Sequence, residues 1–267
     1  MTNSEWAPAG SAQVLLVETR QHPEGLVYRL TVSHPEKLNI VDTVALAEIS
    51  DVLARVAEDD TARAVILSGS GGKAWIGGAD INEMVALNSE SAKTFISGLH
   101  AVCQALRELP VPVIASIDGF CLGAGLEIAA CCDLRIATSA SRFGMPEVQV
   151  GIPSVIEAAL LPRLIGVGRT RDLVLTGRTI DAREASAWGL IECVDSTGRL
   201  DTVVNDRIAM ILTAGPKAIR AQKALCRDWE ELPLSQAIKA SVDVFGDAFL
   251  EDEPQAYMQR FLRGRRK

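Results

Sequence analysis

Two carboxylates are set where carboxylates are costly. From Phe120 to Cys132, Glu127 is the only acid in a run of small and apolar residues. Such a run reads as a buried helix, and an unpaired buried carboxylate is expensive. Glu147 follows Pro146 among Phe143, Met145, Val148 and Val150. Two acids in apolar surroundings suggest a pair with perturbed, coupled titration, suited to acid/base chemistry.

Two glycine-rich stretches supply a second ingredient. Gly77-Gly78-Ala79 and Gly123-Ala124-Gly125 each read as a helix start. A helix N-terminus carries unpaired backbone N–H groups, and small residues let a ligand approach them. If both stretches face one pocket, they form an oxyanion hole for a developing enolate or tetrahedral intermediate. Glu127 lies nearly one helical turn past Ala124, so its carboxylate would hang close to the carbon beside that oxyanion. Each motif taken singly has a plainer reading. The glycines serve close packing; Glu127 is satisfied by Arg135 or by backbone N–H groups; Glu147 pairs with Arg142.

The elements that must hold these residues alternate between strand and helix. Strands are predicted at Val14–Glu18 and Leu26–Ser33, a helix at Thr43–Ala57, and a strand at Ala64–Leu67. A short helix follows over Ile81–Leu87 and a longer one over Ala92–Leu109. The strand Val113–Ile117 leads to a helix over Gly123–Cys132, then to the strand Leu134–Thr138. Phe143–Gly151 reads as a short strand and loop. Helices are expected at Ser154–Leu164 and Thr170–Leu175, and Asp181 with Glu184 resembles a capping box. Leu190–Val194 is a last strand. Beyond it Leu200–Thr213, Pro216–Trp229, Ser235–Leu250 and Glu253–Leu262 all read as helices. The expected organisation is an α/β core over 1–195 and a helical region over 196–267.

The totals limit the function classes. A chain of 267 residues, 48% hydrophobic and 23% charged, can bury a full core. Its net charge of −7 argues against a general nucleic-acid surface and against an anionic membrane. No apolar run is long enough to span a bilayer. Six cysteines without CxxC spacing read as free thiols in a reducing compartment. Residues 1–12 contain no Lys or Arg, which argues against a transit peptide, so cytoplasm is the expected location. His22, His34 and His100 are scattered, which argues against a metal site. There is no GxSxG, and Gly69–Lys73 lacks Walker spacing.

The chain resembles the enoyl-CoA hydratase/isomerase (crotonase) family over nearly its whole length. The resemblance is carried by His34-Pro35-Glu36-Lys37-Leu38-Asn39, by Lys73 to Met84, by Gly119 to Asp133, and by Phe143-Gly144-Met145-Pro146-Glu147. Leu175–Arg178, Ala185–Leu190 and the ending Phe249–Lys267 add to it. It implies a spiral of ββα units followed by helices that build a trimer, often stacked as a dimer of trimers. It implies an acyl-CoA thioester substrate, with coenzyme A belonging to the substrate and no other cofactor. The N–H groups of Ala79 and Ala124 would hold the thioester oxygen. Glu127 and Glu147 would hold a water over the double bond. The backbone of Lys37, Leu38 and Asn39, and of Gly78, Ala79, Asp80, Ile81 and Asn82, would cradle the coenzyme, with Lys37, Lys73 or the tail arginines near phosphates.

Hydration of a 2-enoyl-CoA is the expected reaction. A Δ3,Δ2-enoyl-CoA isomerase is the nearest rival, followed by other CoA-thioester lyases or hydrolases. A silent scaffold or RNA-binding relative belongs to a different class, and the retained glutamates count against it. Two departures from the family pattern stand out. Ile40 takes a place usually held by a small residue, and is expected to alter the pocket wall. The loop Gly151-Ile-Pro-Ser-Val-Ile-Glu-Ala lacks the family's glycine pair and adds Glu157, read as a surface acid near the pocket entrance.

Overall fold

A computed structural model describes residues 5–11 and 13–264. In chain order the first elements are β1 (Ala7–Ser11), β2 (Leu15–His22), β3 (Gly25–Val32), α1 (Thr43–Glu58), β4 (Ala62–Gly69) and β5 (Ala74–Ile76). Next come α2 (Ile81–Met84), α3 (Ser89–Glu108), β6 (Val113–Ile117), β7 (Phe120–Leu122), α4 (Ala124–Cys131), β8 (Leu134–Thr138) and β9 (Arg142–Gly144). The second half holds α5 (Leu161–Ile165), α6 (Val167–Thr176), β10 (Thr179–Asp181), α7 (Ala182–Trp188) and β11 (Cys193–Asp195). It ends in α8 (Leu200–Thr213), α9 (Pro216–Glu231), α10 (Leu234–Ala248) and α11 (Glu253–Gly264).

The strands form two sheets. The larger runs β1-β2-β3-β4-β6-β8-β11, antiparallel at the β1 end and parallel from β3 onward. Its central strands are buried on both faces; Ala62 to Leu67 and Val113 to Ile117 are all buried and, apart from Arg63 and Ser116, apolar, as expected where helices cover a parallel sheet. The smaller runs β10-β9-β7-β5. Each of its strands has three residues, and three residues are too few to show a period of two. Of these strands only β9 overlaps a stretch read as strand from the sequence, and β1 was not anticipated either.

The helices follow their sequence signals more closely. Asp42 caps α1 by accepting from the Ala45 N–H at 2.8 Å, and Leu46, Ile49, Val52, Leu53 and Val56 are buried along its inner face. Asn88 and Ser91 cap α3 reciprocally. All eight residues of α4 are buried. One core lies between the larger sheet and α1, α3 and α4. On the opposite face α8 seals the sheet with Val204, Ile208 and Leu212 against Val27, Ile66, Ile114 and Ile136.

Buried polar anchors tie the last helices down. Lys223 of α9 donates to Leu106 O and Val111 O, each at 3.0 Å, and to Asp133 Oδ2 at 2.7 Å. Glu253 of α11 accepts from Lys217 and Ala218 N–H at the start of α9, an acid placed at a positive helix end. The helix expected over Ser154–Leu164 is split. A 3-10 turn over Ile156–Leu160 precedes α5, and Ile156 sits at φ +40°. A continuous α-helix has no room for that backbone angle.

Candidate active site

The two short strands β5 and β7 pair in parallel, Ala74 with Phe120 and Ile76 with Cys121. The loops that leave them therefore start side by side. After β5 the chain bridges to Val41, whose N–H donates to Gly78 O and whose carbonyl accepts from the Asp80 N–H, both at 2.9 Å. In a parallel bridge those bonds belong to the residues flanking Ala79, so the Ala79 N–H points to the other side. After β7, Gly123 turns the chain at φ +52° and opens α4. Ala124 is the first residue of that helix, so its N–H has no partner in the preceding turn. A Cβ on Gly125 would collide with the Ile76 carbonyl, so only glycine lets α4 sit this close to β5.

Glu127 projects from α4 and is 4% exposed. Its Oε1 accepts the Ala158 N–H at 3.2 Å. Burial pushes its carboxyl up to about 8, helped by the nearby charges of Glu147 and Glu157 and opposed by the Ala158 hydrogen bond. Glu147 heads a 3-10 turn over Glu147–Val150, directly after Pro146. Its Oε2 accepts the Ser154 hydroxyl at 2.7 Å, and its Oε1 occupies the space where a Cβ on Gly123 would fall.

These groups meet in one cleft of about 400 Å³, whose lining includes Gly78, Ala79, Ala124, Glu127 and Glu147. Met84, Leu87, Phe95, Ile96 and Leu99 form an apolar wall. That wall was not singled out from the sequence; its only signal was the amphipathic pattern of α3. Ile81 also lines the cleft.

Lys37, Leu38, Asn39, Asp80 and Asn82 are not among the residues that line it. Leu38 and Asn39 both adopt positive φ, and Leu38 O accepts the Gly77 N–H at 2.9 Å. The buried Asn39 side chain donates to Ser70 O and Ala74 O and accepts from His34 N–H. Asp80 caps α2 through the N–H of Asn82 and also accepts from its side chain. These residues brace the donor loop from behind. Lys37 and Lys73 are exposed beside it, and Arg265, Arg266 and Lys267 lie outside the described residues.

Several sequence expectations are corrected. Arg135 does not meet Glu127; it pairs with Glu192 and donates to three backbone carbonyls. Arg142 does not meet Glu147; its guanidinium donates to Ala140 O and Ser141 O. Ile40 is not part of the cleft wall. Glu157 is not a surface acid. It is 6% exposed, and the His100 Nδ1–H donates to its Oε1 at 2.7 Å.

Cys103, Cys121, Cys131 and Cys132 are free and buried, while Cys226 is exposed. Among the described residues no cluster of three His, Cys, Asp or Glu side chains is placed to hold a metal ion. None of the described helices is long and apolar enough to cross a membrane.

An α/β spiral whose paired backbone donors and paired acids share one cleft defines a class, and comparison with known proteins identifies it. Residues 23–267 match the profile of the enoyl-CoA hydratase/isomerase family, and the chain belongs to that family. The short-chain-enoyl-CoA hydratase of Clostridium acetobutylicum is 34% identical over 244 residues, covering 91% of this chain and 94% of that protein. The crotonyl-CoA hydratase of Syntrophomonas wolfei is also 34% identical, over 89% of this chain and 92% of that one. The crystal structure of the enoyl-CoA hydratase from Bacillus anthracis superposes with a TM-score of 0.88 at 29% identity, covering 94% of this chain and 97% of that one.

Proposed function

We propose that this enzyme, an enoyl-CoA hydratase, adds water in syn fashion across the 2,3 double bond of a 2-enoyl-CoA thioester in the cleft between α3 and α4. The observation that carries the reading is the opening of Glu127 and Glu147 onto the same apolar cleft as Ala79 and Ala124.

The thioester oxygen takes hydrogen bonds from the Ala79 and Ala124 N–H groups. That grip stabilises the enolate formed when water oxygen bonds to C3, and each such donor contributes roughly 10²–10³ in rate. One carboxyl of the pair receives a proton from the water while the other delivers one to C2. A molecule of water is consumed, and the pair ends with the one proton it began with. Burial raises the proton affinity of Glu127, which favours Glu127 as the holder of this shared proton. With both carboxyls on one side of the bound alkene, hydroxyl and hydrogen arrive on the same face. Moving a double bond from C3 to C2 needs one carboxylate, so the pair favours hydration over isomerisation. The reaction draws on no cofactor besides the coenzyme A carried by the substrate.

The acyl chain lies along Phe95, Ile96 and Leu99. The coenzyme extends past the backbone of residues 37–39 and 78–82, with Lys37 and Lys73 near its phosphates. Helices of the region 196–267 supply an assembly surface for a trimer or a dimer of trimers. Leu234, Ile238, Val242 and Phe245 are exposed along α10, and they border a groove of about 500 Å³ beside Trp229 of α9. Loss of the conjugated-thioester absorbance of crotonyl-CoA tests the activity. Turnover of a 3-enoyl-CoA with none of crotonyl-CoA would make the isomerase reading the right one.

A further inference from the structure

We infer that Glu157, held by His100, is a positioning residue that sets how tightly Glu127 keeps its proton. The inference rests on the hydration reading above. It starts from the turn after Pro153. Ile156 adopts φ +40°, a conformation that a β-branched residue seldom takes. The turn that follows packs against α4 and brings two groups to the catalytic carboxyl. One is the Ala158 N–H, which donates to Glu127 Oε1 at 3.2 Å. The other is the Glu157 carboxyl, one residue before Ala158, whose charge raises the proton affinity of Glu127.

Glu157 is not among the residues lining the substrate cleft, so it acts through Glu127 and not on the substrate. Its Oε1 is fixed by the His100 Nδ1–H at 2.7 Å. Its Oε2 is buried with no hydrogen-bond partner among the described residues. A carboxylate beside another acid in a low-dielectric site favours the protonated form of its neighbour.

The other titratable groups nearby do not replace it. Cys103 of α3 and Cys131 of α4 are buried thiols, and burial together with their mutual hydrogen bond pushes the Cys103 thiol far up. Glu147 adds a second negative charge from the cleft side. Lys93 lines the cleft but is exposed. His100 is the only basic side chain paired with any of these three carboxylates among the described residues. Its ring is half exposed, so it holds Glu157 at the boundary between core and solvent.

The test is the pH profile of kcat/KM for crotonyl-CoA hydration in the wild type, Glu157→Gln and Glu157→Asp. Glutamine keeps shape and hydrogen bonding but removes the charge. Its alkaline limb should move to lower pH by about one unit. Aspartate keeps the charge, and its limb should stay near that of the wild type. A purely structural role predicts the reverse order, because glutamine fits the site and aspartate does not. Glu157→Met fills the same volume without a polar atom; it carries the same expected displacement if the glutamine variant does not fold. A limb unmoved in the uncharged variants, or moved equally by aspartate, overturns the inference. Glu127→Gln serves as control. Its undiminished turnover would defeat the hydration site itself, whereas an unmoved limb with Glu127 essential defeats only the role of Glu157.

Discussion

The Ser154 hydroxyl donates to Glu147 Oε2 at 2.7 Å, from seven residues further along the same loop. Glu147 is thus held by its own turn, while Glu127 is held by the Ala158 N–H from a different element. Neither support requires a charge. The amide oxygen of a glutamine accepts both bonds, so Glu127→Gln and Glu147→Gln should fold as the wild type does. Each should lower kcat for crotonyl-CoA by ~10²–10⁴. Coenzyme A binding, followed by calorimetry, should change little. Full turnover by either variant would falsify the paired-acid mechanism.

The raised proton affinity of Glu127 also leaves a mark on stability. Its carboxyl is at about 8 in the folded chain against an ordinary 4.5. Between those values the native state holds a proton that the unfolded state has released. Stability contributed by this group is therefore complete below about 4.5 and is lost as pH rises through about 8. Glu127→Gln carries no such dependence. In thermal melts its advantage over the wild type should be largest near about pH 9 and should shrink toward about pH 5. A gap that grows on acidification would contradict the burial of this carboxyl.

Gly123 is where backbone and acid compete for one volume. At φ +52° a side chain is strained, and its Cβ would overlap the Glu147 carboxylate. Gly123→Ala should displace Glu147 from the cleft. A misplacement of about 1 Å lowers rate by about 10². Steady-state kinetics should show the loss in kcat, with the variant still folded by circular dichroism.

Lys223 offers a prediction remote from the chemistry. Its ammonium satisfies two carbonyls and Asp133 at the junction of α9 with the core. Lys223→Met leaves those three acceptors without their cation and should cost about 3 kcal/mol in urea unfolding. Activity of the folded fraction should persist, because Lys223 takes no part in the cleft.

Much of the site was legible in the sequence because its chemistry is carried by residue types that are out of place. A carboxylate within Phe120–Cys132 is an anomaly that packing alone does not explain, whereas the glycines before the two helices also serve close packing, as Gly125 does against Ile76. What could not be read depends on backbone angles and three-residue ladders. Nothing in Ser-Val-Ile-Glu-Ala-Ala-Leu-Leu marks Ile156 as left-handed, and a plain helix would have turned Glu157 outward. The strands β5, β7 and β10 draw their pairing from neighbours distant in sequence. Of the two plainer partners weighed for Glu127, Arg135 is claimed by Glu192 and three carbonyls, while a backbone N–H, that of Ala158, does meet it.

The parallel pairing of β5 with β7 reaches beyond architecture. Neighbouring strands lie about 4.8 Å apart, so the loops carrying Ala79 and Ala124 leave the ladder side by side, and each donor is a main-chain group. Among single replacements, only proline deletes such a donor outright. Lineages that explore new acyl groups on this scaffold can therefore redecorate Phe95, Ile96 and Leu99 freely, while the ester clamp stays outside the reach of ordinary substitution.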